Sequence, residues 1–208
     1  MRFNKTDALF LLLPLVLWPI SFILLRPIFI YAMFASGLIL AALSIARYGK
    51  YIHWKGKQSV LATVAIGAGA ALLLYILFLV GYYVSPLLGI KASVLNVYAM
   101  IYSQQSNYVL LPLLAFIGFF EEVYWRGALQ GFAGKKTKLF SKMPWAASII
   151  YYSCVHLLTG NPVLALAAFL VGITTSLVAN RYGILCSIIT HILWIEAIIV
   201  FLPVSSII

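Results

Sequence analysis

Of the 208 residues, 64% are hydrophobic and only 9% are charged, where a soluble domain carries roughly 25% charged residues. That is too little polar surface to coat a water-soluble globule, so a soluble fold is excluded and lipid is the solvent. Fourteen Lys and Arg stand against four Asp and Glu; such a balance in a soluble protein points to nucleic acid, but here the basic residues sit in short segments between apolar runs, as in the cytoplasmic loops of membrane proteins. No nucleic-acid partner is expected.

A spanning helix needs about 20 apolar residues. Candidates in chain order are 8–25, 27–46, 58–83, 108–130, 143–159, 163–180 and 183–204. The fold class expected is therefore all-α, a polytopic bundle of about seven spans forming one integral membrane domain over 1–208. Arg2 and Lys5 ahead of the first run mimic a signal peptide, but the run is long and no small-residue cleavage site follows, so it reads as an uncleaved span. The first two spans form a hairpin at Arg26-Pro27. The segment 84–107 is the one long connection, and its apolar middle, Ala92 to Tyr102, is too short to cross and reads as an interfacial helix.

The loops then acquire sides. Arg47, Lys50, Lys55 and Lys57 lie in one loop, Lys135, Lys136, Lys138 and Lys142 in another, and Arg181 in the last turn. With the N-terminus inside, all of these are cytoplasmic, and the opposite loops hold only Arg26 and Lys91. The C-terminal Ser-Ser-Ile-Ile falls outside. The basic loops would favour anionic headgroups or an acidic stretch of a substrate. Cys154 and Cys186 fall in apolar runs without metal-type or disulfide spacing and read as small apolar packers. There is no internal repeat.

Glu121, Glu122, Glu196, His156 and His191 interrupt the apolar runs. Ionisable groups inside a membrane are costly and mark functional sites. In Glu121-Glu122-Val123-Tyr124-Trp125-Arg126, Glu122 and Arg126 share a helix face four residues apart and can pair. Glu121 points about 100° away and has no local partner, which suits a general base. Glu121, His156 and His191 lie about 10, 13 and 9 residues from the cytoplasmic ends of their spans, roughly 13–20 Å deep at 1.5 Å per residue. Three helices can therefore bring them to one point. A carboxylate and an imidazole there can activate water for amide hydrolysis, and a second imidazole can donate to the oxyanion. Two histidines and a glutamate are also a zinc ligand combination, so a metal site, if there is one, uses Glu121, His156 and His191; no His-Glu-x-x-His motif is present. The bland alternatives are an interhelical ion-pair cluster for the acids and Arg126, and interhelical hydrogen bonds for the histidines. Glu196 reads as a polar residue late in the last span, and the span-end Tyr and Trp as interface anchors.

The spacing resembles the CPBP family of type II CAAX prenyl endopeptidases, bacteriocin-processing and Abi-like membrane proteins, whose pattern is Glu-Glu-x-x-x-Arg, Phe-x-x-x-His and a late His-x-x-x-Asn. Glu121-Glu122 with Arg126 matches the first in full. Tyr152 with His156 matches the second with Tyr for Phe. His191 matches the third, with Ile195 where Asn is expected. Phe169-Leu170-Val171-Gly172 and Arg181-Tyr182-Gly183 also look like the family, so the resemblance covers 108–195. It implies an intramembrane endopeptidase without a resident cofactor, acting on a membrane-anchored or lipidated peptide. In that reading Glu121 and His156 activate water, His191 holds the oxyanion, and Glu122 and Arg126 support the site. Ile195 cannot donate a hydrogen bond, which leaves three readings: a slower peptidase, one that uses another donor such as Asn161 or Asn180, or a protein that has lost activity. The departure also favours the rival reading, a non-catalytic scaffold, immunity or transport-associated protein of the same fold.

Overall fold

The structure, a computed structural model, describes residues 4–102 and 106–206; Arg2 and the final Ile207-Ile208 lie outside them. The described residues are helical throughout, without strands. The helices are α1 (Lys5–Pro19), α2 (Phe29–Tyr48), α3 (Val60–Val84), α4 (Lys91–Tyr102), α5 (Asn107–Glu122), α6 (Gln130–Lys136), α7 (Pro144–Leu157), α8 (Pro162–Tyr182) and α9 (Ile184–Glu196). π-helical turns extend α1 over Ile20–Leu24 and α9 over Ala197–Phe201, and a third, Val123–Leu129, joins α5 to α6.

Six segments are long and apolar enough to cross a membrane: 5–24, 26–51, 60–84, 107–136, 162–182 and 184–201. The chain is an integral, multi-pass membrane protein. The seventh predicted span, 143–159, forms as α7 with only 14 residues, about 21 Å at 1.5 Å per residue. It falls short of the roughly 30 Å hydrocarbon core. Its two ends nonetheless lie at opposite ends of the bundle. Pro144 packs on Gly134 beside the basic loops, and the turn after Leu157 meets α4, where Asn161 Nδ2 donates to the Ser93 carbonyl at 3.1 Å.

The 107–136 segment is the spine. All seven residues of its π-helical stretch are buried, and α2, α7 and α9 pack around it. By contrast α3 exposes Leu61, Leu72, Leu73 and Val80, a face that only lipid stabilises. Some hydroxyls in the helices are satisfied along their own turns. Ser44 donates to the Leu40 carbonyl at 2.7 Å and Thr175 to that of Val171 at 2.8 Å, so they add no unpaired polar group to the bundle. Cys154 is exposed and does not pack inward, while Cys186 is buried. The segment expected to lie flat at the interface, α4, buries Tyr98, Met100 and Ile101, and Tyr98 Oη donates to the Ile198 carbonyl at 3.0 Å.

One end of the bundle gathers the basic loops. Ile184 and Leu185 N–H donate to the His53 and Trp54 carbonyls at 2.9 and 3.0 Å, and Gly56 N–H to that of Tyr182 at 3.0 Å. Asp7 accepts from Tyr48 Oη at 3.0 Å and pairs with Lys136 Nζ at 3.2 Å, tying α1, α2 and α6 together there. This clustering is what the positive-inside rule requires of a cytoplasmic face.

Gly183 makes the tight junction at this end. Its φ is +85° with ψ 162°, a region essentially confined to glycine. An added Cβ would sit 2.8 Å from Gly56 N and 2.9 Å from Lys55 C. Gly183→Ala is therefore expected to lower stability by about 1–3 kcal/mol, read as a lower thermal midpoint in detergent. Gly69→Ala, with nothing within 4 Å of the new methyl, serves as the neutral control.

Candidate active site

Three helices deliver the ionisable side chains. Glu121 and Glu122 end α5, His156 sits in the last turn of α7, and His191 lies mid-way along α9. Adjacent residues on a helix point about 100° apart, and the two glutamates meet different surroundings.

Glu122 is fully buried at the centre of a polar node. Its Oε1 lies 2.8 Å from His191 Nδ1 and 3.3 Å from Arg126 Nη1. Its Oε2 accepts from the Ser187 hydroxyl. Arg126 is 2% exposed. Its guanidinium stacks 4.4 Å above the centroid of the Tyr152 ring. None of its nitrogens makes a well-aligned hydrogen bond among the described residues, so the contact with Glu122 is an ion pair rather than a fork-type bond. Supporting roles for Glu122 and Arg126 are consistent with this geometry.

Glu121 faces the other way, where its Oε2 accepts from Tyr152 Oη at 2.6 Å. Tyr152 is a hub. It holds Glu121 with its hydroxyl and carries Arg126 on its ring. Its ring stands edge-on to His156 at 4.4 Å between centroids. Its carbonyl lies 2.8 Å from His156 Nδ1. On the far side of the imidazole, Trp18 Nε1–H donates to His156 Nε2 at 3.1 Å. An indole N–H can only donate, so Nε2 is an acceptor and Nδ1 carries the proton given to Tyr152. Both nitrogens of His156 are thus engaged, and the ring is a single neutral tautomer.

Glu121, Tyr152, His156, His191, Trp194 and Ile195 share the wall of one cavity of about 150 Å³, otherwise lined by apolar side chains. The convergence of Glu121, His156 and His191 expected from their depths is present at the level of a common cavity. A direct Glu121–His156 hydrogen bond is not. Nor do the three form a metal ligand set in this geometry, since His156 Nε2 is taken by Trp18 and His191 Nδ1 by Glu122. No group of three His, Cys, Asp or Glu among the described residues is arranged to hold an ion.

Asn161 and Asn180, the two stand-in donors, are elsewhere. Asn161 caps α8, and Asn180 lines a recess at the basic end. The donor that sequence reasoning passed over is Trp194, whose buried Nε1–H has no acceptor among the described residues. Tyr152 carried a signal, as the one polar substitution in the Phe-x-x-x-His pattern. Trp18 carried none: it stands 138 residues from His156 and read as an interface anchor, yet is fully buried.

A buried cluster of acids and imidazoles inside a polytopic bundle marks a functional site within the membrane protein. Residues 103–195 match the family model described as Rce1-like, type II CAAX prenyl endopeptidase Rce1-like, so the chain carries an Rce1-like domain and the resemblance to the CPBP pattern holds. The match spans just under half of the 208 residues and contains every residue of the Glu122 node. The family is one of proteases. No curated protein and no solved structure matches the chain.

The two glutamates should separate in stability measurements. Glu122→Gln leaves Arg126 and His191 without their shared counter-charge, and breaking such a buried pair costs about 3–5 kcal/mol. Glu121→Gln keeps an acceptor for Tyr152 and removes no ion pair, so its thermal midpoint in detergent should stay close to wild type. Equal losses in the two variants would contradict this assignment.

Proposed function

We propose that this chain is an intramembrane endopeptidase that hydrolyses a peptide bond in a membrane-anchored or lipidated substrate, of the CAAX or bacteriocin-like kind, with Glu121 as general base. The supporting observation is that Glu121, His156 and His191 line one cavity, fully embedded in the bundle. On the cavity's measure a water needs about 10–15 Å³, so the space takes several waters or a short stretch of peptide.

In this reading Tyr152 holds one oxygen of Glu121, and the other takes the proton of a water. The resulting hydroxide attacks the scissile carbonyl carbon. His191, held through Nδ1 by Glu122, gives a hydrogen bond from Nε2 to the oxyanion. Collapse of the tetrahedral intermediate expels the amine, which takes the proton held by Glu121. His156 joins Glu121 on the water when Nε2 exchanges the Trp18 N–H for a water proton. The apolar part of the substrate has a neighbouring recess of about 170 Å³, which shares Val97, Leu164, Ala167, Trp194, Ile198 and Ile199 with the cavity. No cofactor is invoked.

The rival, a non-catalytic scaffold, draws on Ile195 and on the engagement of both His156 nitrogens. One experiment separates the two. Purified wild-type protein in detergent is given a peptide library, alongside Glu121→Gln and wild type with chelator. Cleavage should fall by about 10²–10⁴ in Glu121→Gln and be unchanged by chelator. Full activity in Glu121→Gln overturns the assignment of the base, and loss with chelator moves the chemistry to a metal. Tyr152→Phe keeps the ring under Arg126 and removes only the hydroxyl. It should lower kcat with little change in KM.

A further inference from the structure

The lysine-rich loops invite the expectation that substrate arrives from the cytoplasmic face, but the cavity lies towards the other end. Its walls come from Phe22 and Phe29 at the Arg26 hairpin, from Met100 of α4, from Leu164 in the first turn of α8, and from Ile198 beyond α9. Towards the basic end it is closed by a dry layer. Glu122, Tyr124, Trp125, Ser148 and Ser187 are each 0% exposed. The recess at the basic end, lined by His53, Arg126, Lys135 and Asn180, has no wall residue in common with the cavity, and the Arg126–Tyr152 stack stands between them.

At the opposite end a second hollow of about 210 Å³ adjoins the cavity and shares Phe22, Val97, Met100 and Leu164 with it. Its remaining wall is polar: Arg26, Ser93, Asn96, Thr159 and Asn161. The length of α7 explains the hollow. The helix starts right after the lysine loop, which must stay in water or headgroups. At about 21 Å it ends short of the far surface of a roughly 30 Å core. The turn that follows, Leu158–Asn161, is therefore sunk below that surface. Irregular polar backbone at such depth is tolerated where it lines a wet cavity. His156, in the last turn of α7, lies at the foot of this well.

We propose that the cavity is supplied with water and substrate from the extracytoplasmic face, through the well between the Arg26 hairpin, α4 and the α7–α8 turn. The substrate class is then a membrane-anchored peptide whose scissile bond is presented on the face opposite the lysine-rich loops. Its polar flank meets Asn96, Asn161 and Arg26, and its apolar part stays in the bilayer and the recess beside Trp194. This rests on the endopeptidase reading for its substrate, but the route itself is testable without turnover.

The test uses the full chain with Cys154→Ser and Cys186→Ser, expressed in spheroplasts of a bacterial host. Single variants Asn96→Cys, Ile195→Cys and Lys138→Cys are exposed to a small, charged, membrane-impermeant methanethiosulfonate. Asn96→Cys in the well and Ile195→Cys in the cavity wall should be modified in intact spheroplasts, and Lys138→Cys only after lysis. Ser93→Cys, on the same well, duplicates the Asn96 result should that variant fold poorly. Modification of Ile195→Cys only after lysis, or in neither condition, overturns the route, and labelling of Lys138→Cys in intact spheroplasts overturns the orientation. A failure of peptide cleavage would instead count against the peptidase reading and leave these labelling results standing.

Discussion

The Glu122 carboxylate is the interaction on which the rest of the site depends. Buried in a low-dielectric bundle, an unpaired carboxylate is prohibitively costly, and a buried charge persists only when it is paired and hydrogen-bonded. Glu122 collects a guanidinium from its own helix, and an imidazole and a hydroxyl from α9. These partners fix the register of α9 against the spine and hold the His191 ring at the cavity wall. Arg126 extends the node across to the Tyr152 ring, so the same charge also orients α7. Electrostatic satisfaction thus does what apolar packing does poorly in lipid, where helices gain no hydrophobic free energy by meeting.

The π-helical turn directly after Glu122 belongs to this arrangement. Widening the helix over Val123–Leu129 changes which faces the following residues present, and such bulges recur at functional sites. Gly127 and Gly131 then allow the segment after α2 to come close: a Cβ on Gly131 would lie 2.2 Å from the Tyr51 carbonyl oxygen, and one on Gly127 3.2 Å from Ile52. The loop bearing Arg47, Lys50, Lys55 and Lys57 is thereby packed on the spine at the basic end of the bundle.

How much of this was readable in the sequence follows from the kind of signal each feature leaves. Long apolar runs and the sidedness of the lysines announced the bundle, because lipid demands both. The pairing of Glu122 with Arg126 was legible, since four residues make one helical turn, and so was the separate environment of Glu121. The end of α7 was legible too, since Gly160 and Pro162 follow its apolar run and punctuate the helix, Gly160 with a φ of +75°; what the sequence did not show is that the turn is tied to α4 through Asn161 and the Ser93 carbonyl. Trp18 was out of reach for the same reason. Its partner lies on another helix, and an indole in an apolar run gives no local sign that its N–H is committed. The stand-in donors Asn161 and Asn180 lie away from the cavity because they sit at the two ends of α8, one as its N-cap and one in its last turn.

Neighbouring glutamates at one helical step serve opposite ends. Glu122 has three partners in place, Arg126 Nη1, His191 Nδ1 and Ser187 Oγ, and both of its oxygens are engaged. Glu121 has one hydrogen bond, from Tyr152, and a face on the cavity. In the proposed role as base Glu121 must be held in place yet keep an oxygen open, and a single phenolic donor meets that need where a salt bridge would over-commit it. Replacing the family's Phe by Tyr adds this restraint in a chain whose Ile195 offers no donor. Beside His191 the cavity wall carries the indole of Trp194, whose Nε1–H has no acceptor among the described residues.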